Sequence, residues 1–285
     1  MLPAFILLLR EGFEASLIVS ILLAALKQLG QPEQARAVWI GVGLAVLAAL
    51  VGGVAIYFTI RTYADSTFQT VFETITYLIA VVILTTMTVW MQRHSRTLKR
   101  EIISQATAAG SGFALGLLAF TTVGREGLET AVFMLAFAFQ TNGVLLLIGG
   151  ILGVAAAVAL CYAIYRMGYR LDFRVFFRAM GVLLLIFAAG LLSDAVQNMQ
   201  ELGWITFGGA HLWSTAGFLS EDSVLGDMLH TFIGYAESPT ALQVTLYVLY
   251  VAAFAGYFWY LTRKPELPPR PATATPGAPA SPASR

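Results

Sequence analysis

The sequence has little charge. Only 12% of its 285 residues are Asp, Glu, Lys or Arg, whereas 58% are hydrophobic. A soluble domain carries about 25% charged residues, so this chain lacks the polar groups to cover a water-facing surface. It also has a single cysteine, Cys161, which excludes an internal disulfide and a thiolate metal cluster. The near-neutral net charge of +1 gives no sign of a nucleic-acid partner, and we expect none.

Long apolar runs take the place of charge. A membrane-spanning helix needs about 20 mainly apolar residues, and by that test we expect an all-α polytopic membrane protein with seven transmembrane helices. The predicted spans are 2–29, 37–60, 74–91, 109–139, 144–165, 179–199 and 242–261. Arg10 interrupts the first run, so we expect no cleavable signal peptide.

The basic residues predict the orientation. Fourteen of the 17 fall in loops on one side, Arg61 alone falls on the other, and Arg10 and Arg125 lie within spans. Because short cytoplasmic loops carry the excess of Lys and Arg, we expect a multi-pass protein of the cytoplasmic (inner or plasma) membrane. Its N-terminus would lie outside and its C-terminus in the cytoplasm. Residues 263–285 hold seven of the ten prolines and are predicted to be a disordered cytoplasmic tail.

The predicted outer loop, residues 200–241, is acidic and has no Lys or Arg. Its carboxylates are Glu201, Glu221, Asp222, Asp227 and Glu237. Two interpretations stay open: the absence of basic residues follows from the orientation alone, or the loop is an acidic vestibule that concentrates cations. His211 and His230 in this loop are either metal ligands or solvated and capping side chains.

One charged pattern occurs twice inside apolar runs. "REGFE" (10–14) and "REGLE" (125–129) both read Arg-Glu-Gly-x-Glu, 115 residues apart, on the first and fourth predicted spans. Those two spans run in opposite directions. The pattern therefore predicts an inverted repeat of spans 1–3 and 4–6 plus a seventh span, with a binding site between the repeats near the membrane midplane. We expect the two units to rock about that site.

The spacing within each copy predicts a shared helix face. Residues three and four apart are neighbours on a helix, so each arginine can orient a glutamate while both carboxylates point the same way. The small glycines Gly12 and Gly127 would let the two motif helices approach each other. The candidate metal ligands are Glu11, Glu14, Glu126 and Glu129, and the candidate orienting arginines are Arg10 and Arg125.

Six charges in a membrane are costly. At about 2.5–3.5 kcal/mol each they would cost roughly 15–20 kcal/mol before pairing, and four glutamates against two arginines leave a formal charge of −2. A bound divalent cation would neutralise it, and so would protonated glutamates; ion pairs that only set helix packing are the third reading. Carboxylates favour hard cations, and the absence of Cys and His from both spans argues against copper(I) and zinc.

The doubled motif in this topology resembles the iron permease family, which includes the oxidase-dependent iron transporters of fungi and the bacterial EfeU-type permeases. The segments "VVILTTMTVWMQRHSRTLK" (81–99) and "GYAESP" (234–239) are similar to the bacterial members. The resemblance covers residues 1–262, which we therefore expect to be one permease domain.

The resemblance implies high-affinity iron uptake, with the four motif glutamates as iron ligands and iron as the transported substrate. It implies no enzymatic activity and no organic cofactor. It also implies an extracytoplasmic partner: an iron-binding lipoprotein and a haem peroxidase in bacteria, or a multicopper oxidase in fungi. The charge of −2 favours ferrous iron but leaves the redox state open.

Other residues and functions stay open from the sequence. Glu73, Asp194 and Glu201 could line an access route for iron, although Glu73 also fits an interfacial carboxylate. The alternatives to iron uptake are transport or exchange of another hard cation such as manganese or calcium, an intramembrane glutamate protease, and a sensor or scaffold. The protease would need a histidine beside the glutamates, whereas we expect all three histidines in loops.

Overall fold

The structure, a computed structural model, describes residues 1–61, 66–94, 98–140, 143–167, 173–215, 217–220 and 223–263. These residues form nine α-helices, and no strand longer than an isolated bridge occurs among them. The helices are α1 (Leu2–Gln28), α2 (Ala35–Arg61), α3 (Thr67–His94), α4 (Leu98–Ala109), α5 (Gly112–Gln140), α6 (Gly143–Met167), α7 (Phe173–Glu201), α8 (Val224–Ile233) and α9 (Ala241–Arg263).

Seven of these helices, of 23 to 29 residues, correspond in order to the seven predicted spans. Five are long and apolar enough to cross a membrane: 32–56, 67–92, 143–163, 175–201 and 241–260. The chain is thus a polytopic, all-helical membrane protein. The other two long helices, α1 and α5, carry the charged motifs, so their composition alone does not mark them as spans.

Two short helices, α4 and α8, were not predicted from the sequence. The predicted fourth span began at residue 109, but Gly110 adopts a left-handed conformation (φ +61°) that ends α4, and Ser111 then caps α5 by accepting a hydrogen bond from the Ala114 amide (3.2 Å). Helix α8 lies inside the predicted outer loop. Ser223 caps its start, and Gly234 ends it at φ +66°.

The predicted placement of the histidines was wrong for two of the three. His94 is the last residue of α3 and His230 lies in α8, so His211 alone falls outside the helices. Arg263, predicted to begin the tail, is the last residue of α9. Two carboxylates of the predicted outer loop, Glu221 and Asp222, lie outside the described residues, and so does the predicted tail from Lys264 onward.

Packing joins helices from the two halves of the chain. The most extensive contacts pair α2 with α5, α1 with α6, and α3 with α7, while α9 packs on α7. Glycines allow the first two pairs to touch through their backbones. A Cβ at Gly41 of α2 would collide with the Gly116 carbonyl of α5, and one at Gly153 of α6 would lie 2.6 Å from the Phe5 carbonyl oxygen of α1.

Candidate metal centre

The α1 motif is an almost fully buried charge cluster. Arg10 and Glu11 are each 2% exposed and Glu14 is 6% exposed. Arg10 lies 2.9 Å (Nη1) from Glu11 Oε1 and 3.0 Å (Nε) from Glu14 Oε1, the second contact spanning one helical turn as the spacing predicted. One guanidinium therefore holds both carboxylates of this motif.

The α5 motif has the same residues in a different environment. Arg125 Nε lies 2.9 Å from Glu129 Oε1 and 3.8 Å from Glu126 Oε1. The Arg125 side chain is 50% exposed, against 2% for Arg10, and its guanidinium carbon lies 5.5 Å from the centre of the Trp90 ring of α3. Glu126 is nonetheless buried. The second copy thus presents one buried and one partly buried carboxylate, while its arginine reaches the edge of the protein.

Carboxylates from the two motifs meet between α1 and α5. One oxygen from each of Glu11, Glu126 and Glu129 can be chosen so that all three lie within 4.8 Å of one another. Glu14, the fourth predicted ligand, is not in this group, and its Oε1 is the atom that faces Arg10. The structure therefore brings together three of the four predicted ligands.

The three carboxylates have unsatisfied oxygens. Oε2 of Glu11, Glu126 and Glu129 is buried and has no hydrogen-bond partner among the described residues. Buried polar atoms without partners are rare, because each costs about 1–3 kcal/mol and a charged one costs more. A hard cation bound among these oxygens would satisfy all three at once, and carboxylate oxygen is the ligand type that such cations prefer.

The two motif glycines do not lie between the two motif helices, as the sequence predicted that they would. A Cβ at Gly12 would lie 3.0 Å from Ala157 Cβ on α6, and one at Gly127 would lie 2.8 Å from Ala49 Cβ on α2. Each glycine therefore lets its own helix approach a helix of the other half. The expectation that Gly12 and Gly127 bring the two motif helices together was wrong.

Comparison with known proteins agrees with the doubled motif. The model of the family described as "Iron permease FTR1 family" matches residues 1–265. The chain belongs to the iron permease FTR1 family. This confirms the resemblance drawn from the motifs over residues 1–262.

Several relatives of this family member are called "Ferrous iron permease EfeU". The protein of Yersinia pestis is 35% identical over 257 residues, which are 88% of this chain and 90% of the relative. That of Yersinia pseudotuberculosis is 35% identical over 253 residues, 87% of this chain and 88% of the relative. That of Escherichia coli O6:K15:H31 is 35% identical over 256 residues, 88% of this chain and 92% of the relative. No solved structure matches the chain.

Two of the three candidate access residues of this permease line one cleft. Glu73 and Glu201 face a polar cleft of about 470 Å³, formed where α3 begins and α7 ends. Glu73 lies in the second turn of α3. The buried Tyr77 donates a hydrogen bond from its hydroxyl to Glu73 Oε1 (2.5 Å), and Gln197 donates one to Glu201 Oε1 (3.1 Å).

The third access residue, Asp194, lies deeper. It is 8% exposed and sits seven residues before the end of α7, which is about 10 Å along the helix axis. Gln140 at the end of α5 donates a short hydrogen bond to Asp194 Oδ2, and His230 Nε2 lies 4.0 Å from the same oxygen. Gln140 and Tyr77 were not predicted from the sequence, since single polar residues carry no pattern.

An apolar layer separates these outer polar groups from the glutamates. It includes Phe133 and Phe137 of α5, Phe187 of α7 and Leu7 of α1, all nearly fully buried. The Phe137 and Phe187 rings meet edge to face at 6.1 Å between centroids. Eleven residues, about 16 Å of helix, separate Gln140 from Glu129. Buried apolar side chains therefore lie between the carboxylate centre and the cleft.

Proposed function

We propose that this chain carries iron across the cytoplasmic membrane and binds it among Glu11, Glu126 and Glu129. Membership of an iron permease family and relatives called ferrous iron permeases support iron transport. The observation that supports the site is the convergence of three carboxylates, two buried and one partly buried, whose Oε2 atoms are buried without a hydrogen-bond partner among the described residues. The formal charge of −2 on the doubled motif matches a divalent ion, in keeping with ferrous iron.

The arginines have a distinct role in this proposal. Arg10 orients Glu11 and Glu14 while no ion is bound, and Arg125 does the same for Glu129. Glu14 is the fourth carboxylate that the motif supplies. It can join the three others when Arg10 releases its Oε1, so we keep Glu14 in the proposed ligand set.

The proposed topology has seven spans, with α1–α3 and α5–α7 as inverted repeats and α9 as the seventh span. The packing supports it, because α1 pairs with α6 as α5 pairs with α2, while α3 and α7 pair with each other. This pairing of each helix with a helix of the other half is what a pseudo-two-fold axis in the membrane plane would produce. The N-terminus would lie outside and the C-terminus inside, with an extracytoplasmic protein delivering iron to the cleft beside Glu73 and Glu201.

Uptake of radiolabelled iron into proteoliposomes tests the function. We expect saturable uptake by the wild type in the ferrous form, and its loss in Glu129→Gln, which keeps the side-chain volume but removes one charge. Glu101→Gln is the matched control, because Glu101 is an exposed carboxylate of α4. Normal uptake by Glu129→Gln would rule out Glu129 as a required ligand.

The same vesicles separate the alternatives. Manganese or calcium that enters in place of iron, and suppresses iron uptake at equal concentration, would mark an exchanger for another hard cation. An intramembrane protease would need a histidine beside the glutamates, and the metal-ligating group among the described residues there consists of glutamates without a histidine.

A further inference from the structure

A second group of metal-ligating side chains lies beyond the apolar layer, on the side of the outer cleft. Asp194 of α7, His230 of α8 and Gln140 of α5 meet there, so three separate elements contribute. Packing fixes their positions. A Cβ on Gly190 of α7 would lie 2.9 Å from the Gly234 backbone at the end of α8, so these two helices touch through their backbones.

The hydrogen bond of His230 determines which ring nitrogen can bind an ion. Its Nδ1 lies 2.8 Å from the carbonyl oxygen of Tyr235. A carbonyl only accepts hydrogen bonds, so Nδ1 carries the hydrogen and the lone pair of a neutral imidazole is on Nε2. That lone pair faces Asp194 Oδ2 across 4.0 Å. A second-shell carbonyl on one ring nitrogen, with the other nitrogen presented to a carboxylate, is the usual arrangement of a metal-binding histidine.

The distance between His230 and Asp194 fits two ligands that share a cation better than it fits a direct hydrogen bond. At 4.0 Å, His230 Nε2 and Asp194 Oδ2 are too far apart for a hydrogen bond. Two ligands that each lie about 2.0–2.2 Å from one tetrahedral ion are about 3.3–3.6 Å apart, so a movement of about half an ångström would let both side chains bind the same ion. Gln140 holds Asp194, and its own Oε1 is buried with no hydrogen-bond partner among the described residues. This amide oxygen is a further hard ligand beside the pair.

We propose that Asp194 and His230 form a second cation site, at which a divalent transition-metal ion rests between the outer cleft and the glutamate centre. The proposal rests on the proposed function, iron transport through this chain. The site would supply selectivity that the glutamates lack. Carboxylates alone suit magnesium and calcium as well as iron, whereas an imidazole nitrogen favours transition metals.

Pulsed EPR of bound Mn²⁺, an EPR-active replacement for ferrous iron, tests the site in the purified full-length chain. An imidazole bound directly to Mn²⁺ gives a nitrogen hyperfine coupling that carboxylate ligands cannot give. We expect this coupling in the wild type and in Glu129→Gln, and its loss in His230→Gln and Asp194→Asn. His211→Gln is the matched control, because His211 Nδ1 also contacts a backbone carbonyl, that of Ser238, at 2.8 Å.

The outcomes distinguish this site from the proposed function. Nitrogen coupling that is absent from the wild type, or that persists in His230→Gln, would overturn the second site even if iron uptake is normal. Coupling that behaves as expected in a wild type that takes up no iron would leave the site standing and reject iron transport. Asp194→Asn preserves side-chain shape, so the test holds if His230→Gln fails to fold. A single size-exclusion peak establishes folding for each variant.

Discussion

The two motif arginines are predicted to differ sharply in their importance for stability, although their motifs match in sequence. Arg10→Met removes a guanidinium that is 2% exposed and lies within 3.0 Å of two buried carboxylates. Breaking a buried ion pair from one side costs about 3–5 kcal/mol, because the remaining charge stays buried without compensation. Here Glu11 and Glu14 both lose their partner, so the upper part of that range applies.

Arg125→Met should cost less. Its side chain is 50% exposed and has one close carboxylate partner, Glu129, so the loss should cost about 1–2 kcal/mol, between the values for exposed and for buried ion pairs. The contact with Trp90 adds about 0.5–1 kcal/mol. At about 2–4 °C per kcal/mol, the melting temperature should fall by roughly 10 °C or more for Arg10→Met and by about half as much for Arg125→Met.

Tryptophan fluorescence of the detergent-purified chain, heated in metal-free buffer, measures both shifts. The double variant Arg10→Met/Glu14→Gln is the control for the cause. It should recover part of the loss, because it removes one of the two uncompensated carboxylates. Equal shifts for the two single arginine variants would refute the reasoning, since they would show that burial does not decide the cost.

Two further predictions concern packing and access. Gly127→Leu should destabilise the protein by about 1–3 kcal/mol, since its Cβ would lie 2.8 Å from Ala49 Cβ. Gly43→Leu is the control and should leave the melting temperature unchanged, because no atom lies within 4 Å of its Cβ. Equal shifts in melting temperature would contradict the close α2–α5 contact. Tyr77→Phe removes the hydrogen-bond donor to Glu73. It should raise the KM for iron uptake about tenfold, which is the effect of losing a hydrogen bond to a charged acceptor, and leave the maximal rate unchanged. An unchanged KM would show that Glu73 does not receive iron.

The helices and the meeting of the two motifs were predictable from the sequence. Apolar runs of span length give the helices, since the backbone in lipid must satisfy its own hydrogen bonds. The repeated Arg-Glu-Gly-x-Glu pattern predicts that the four motif glutamates converge, because costly charges on two opposed helices need one another, and the structure brings three of them together, Glu11, Glu126 and Glu129. Only the family resemblance, however, singled out iron among hard cations.

The rotation of each helix was not predictable. A helix that is apolar all round has no face that marks its neighbour, so the sequence could not show that Gly12 faces α6 or that Gly127 faces α2. The same ambiguity hid the separation of Glu14 from the other carboxylates and the unequal burial of Arg10 and Arg125. Helix α8 was missed because its ten residues are too short for a span and lie in a loop otherwise marked by acidic residues.

The exchange of partners between the two halves bears on how the chain can move. Each motif helix is fastened to a helix of the opposite half by backbone contact at glycines, as at Gly41 with Gly116 and at Gly153 with Phe5. A movement that parts α1 from α5 must therefore carry α6 along with the first and α2 along with the second. These contacts predict that crossed helix pairs, α1 with α6 and α5 with α2, move as units in place of the two halves that the sequence repeats. The motif carboxylates lie between these two helix pairs.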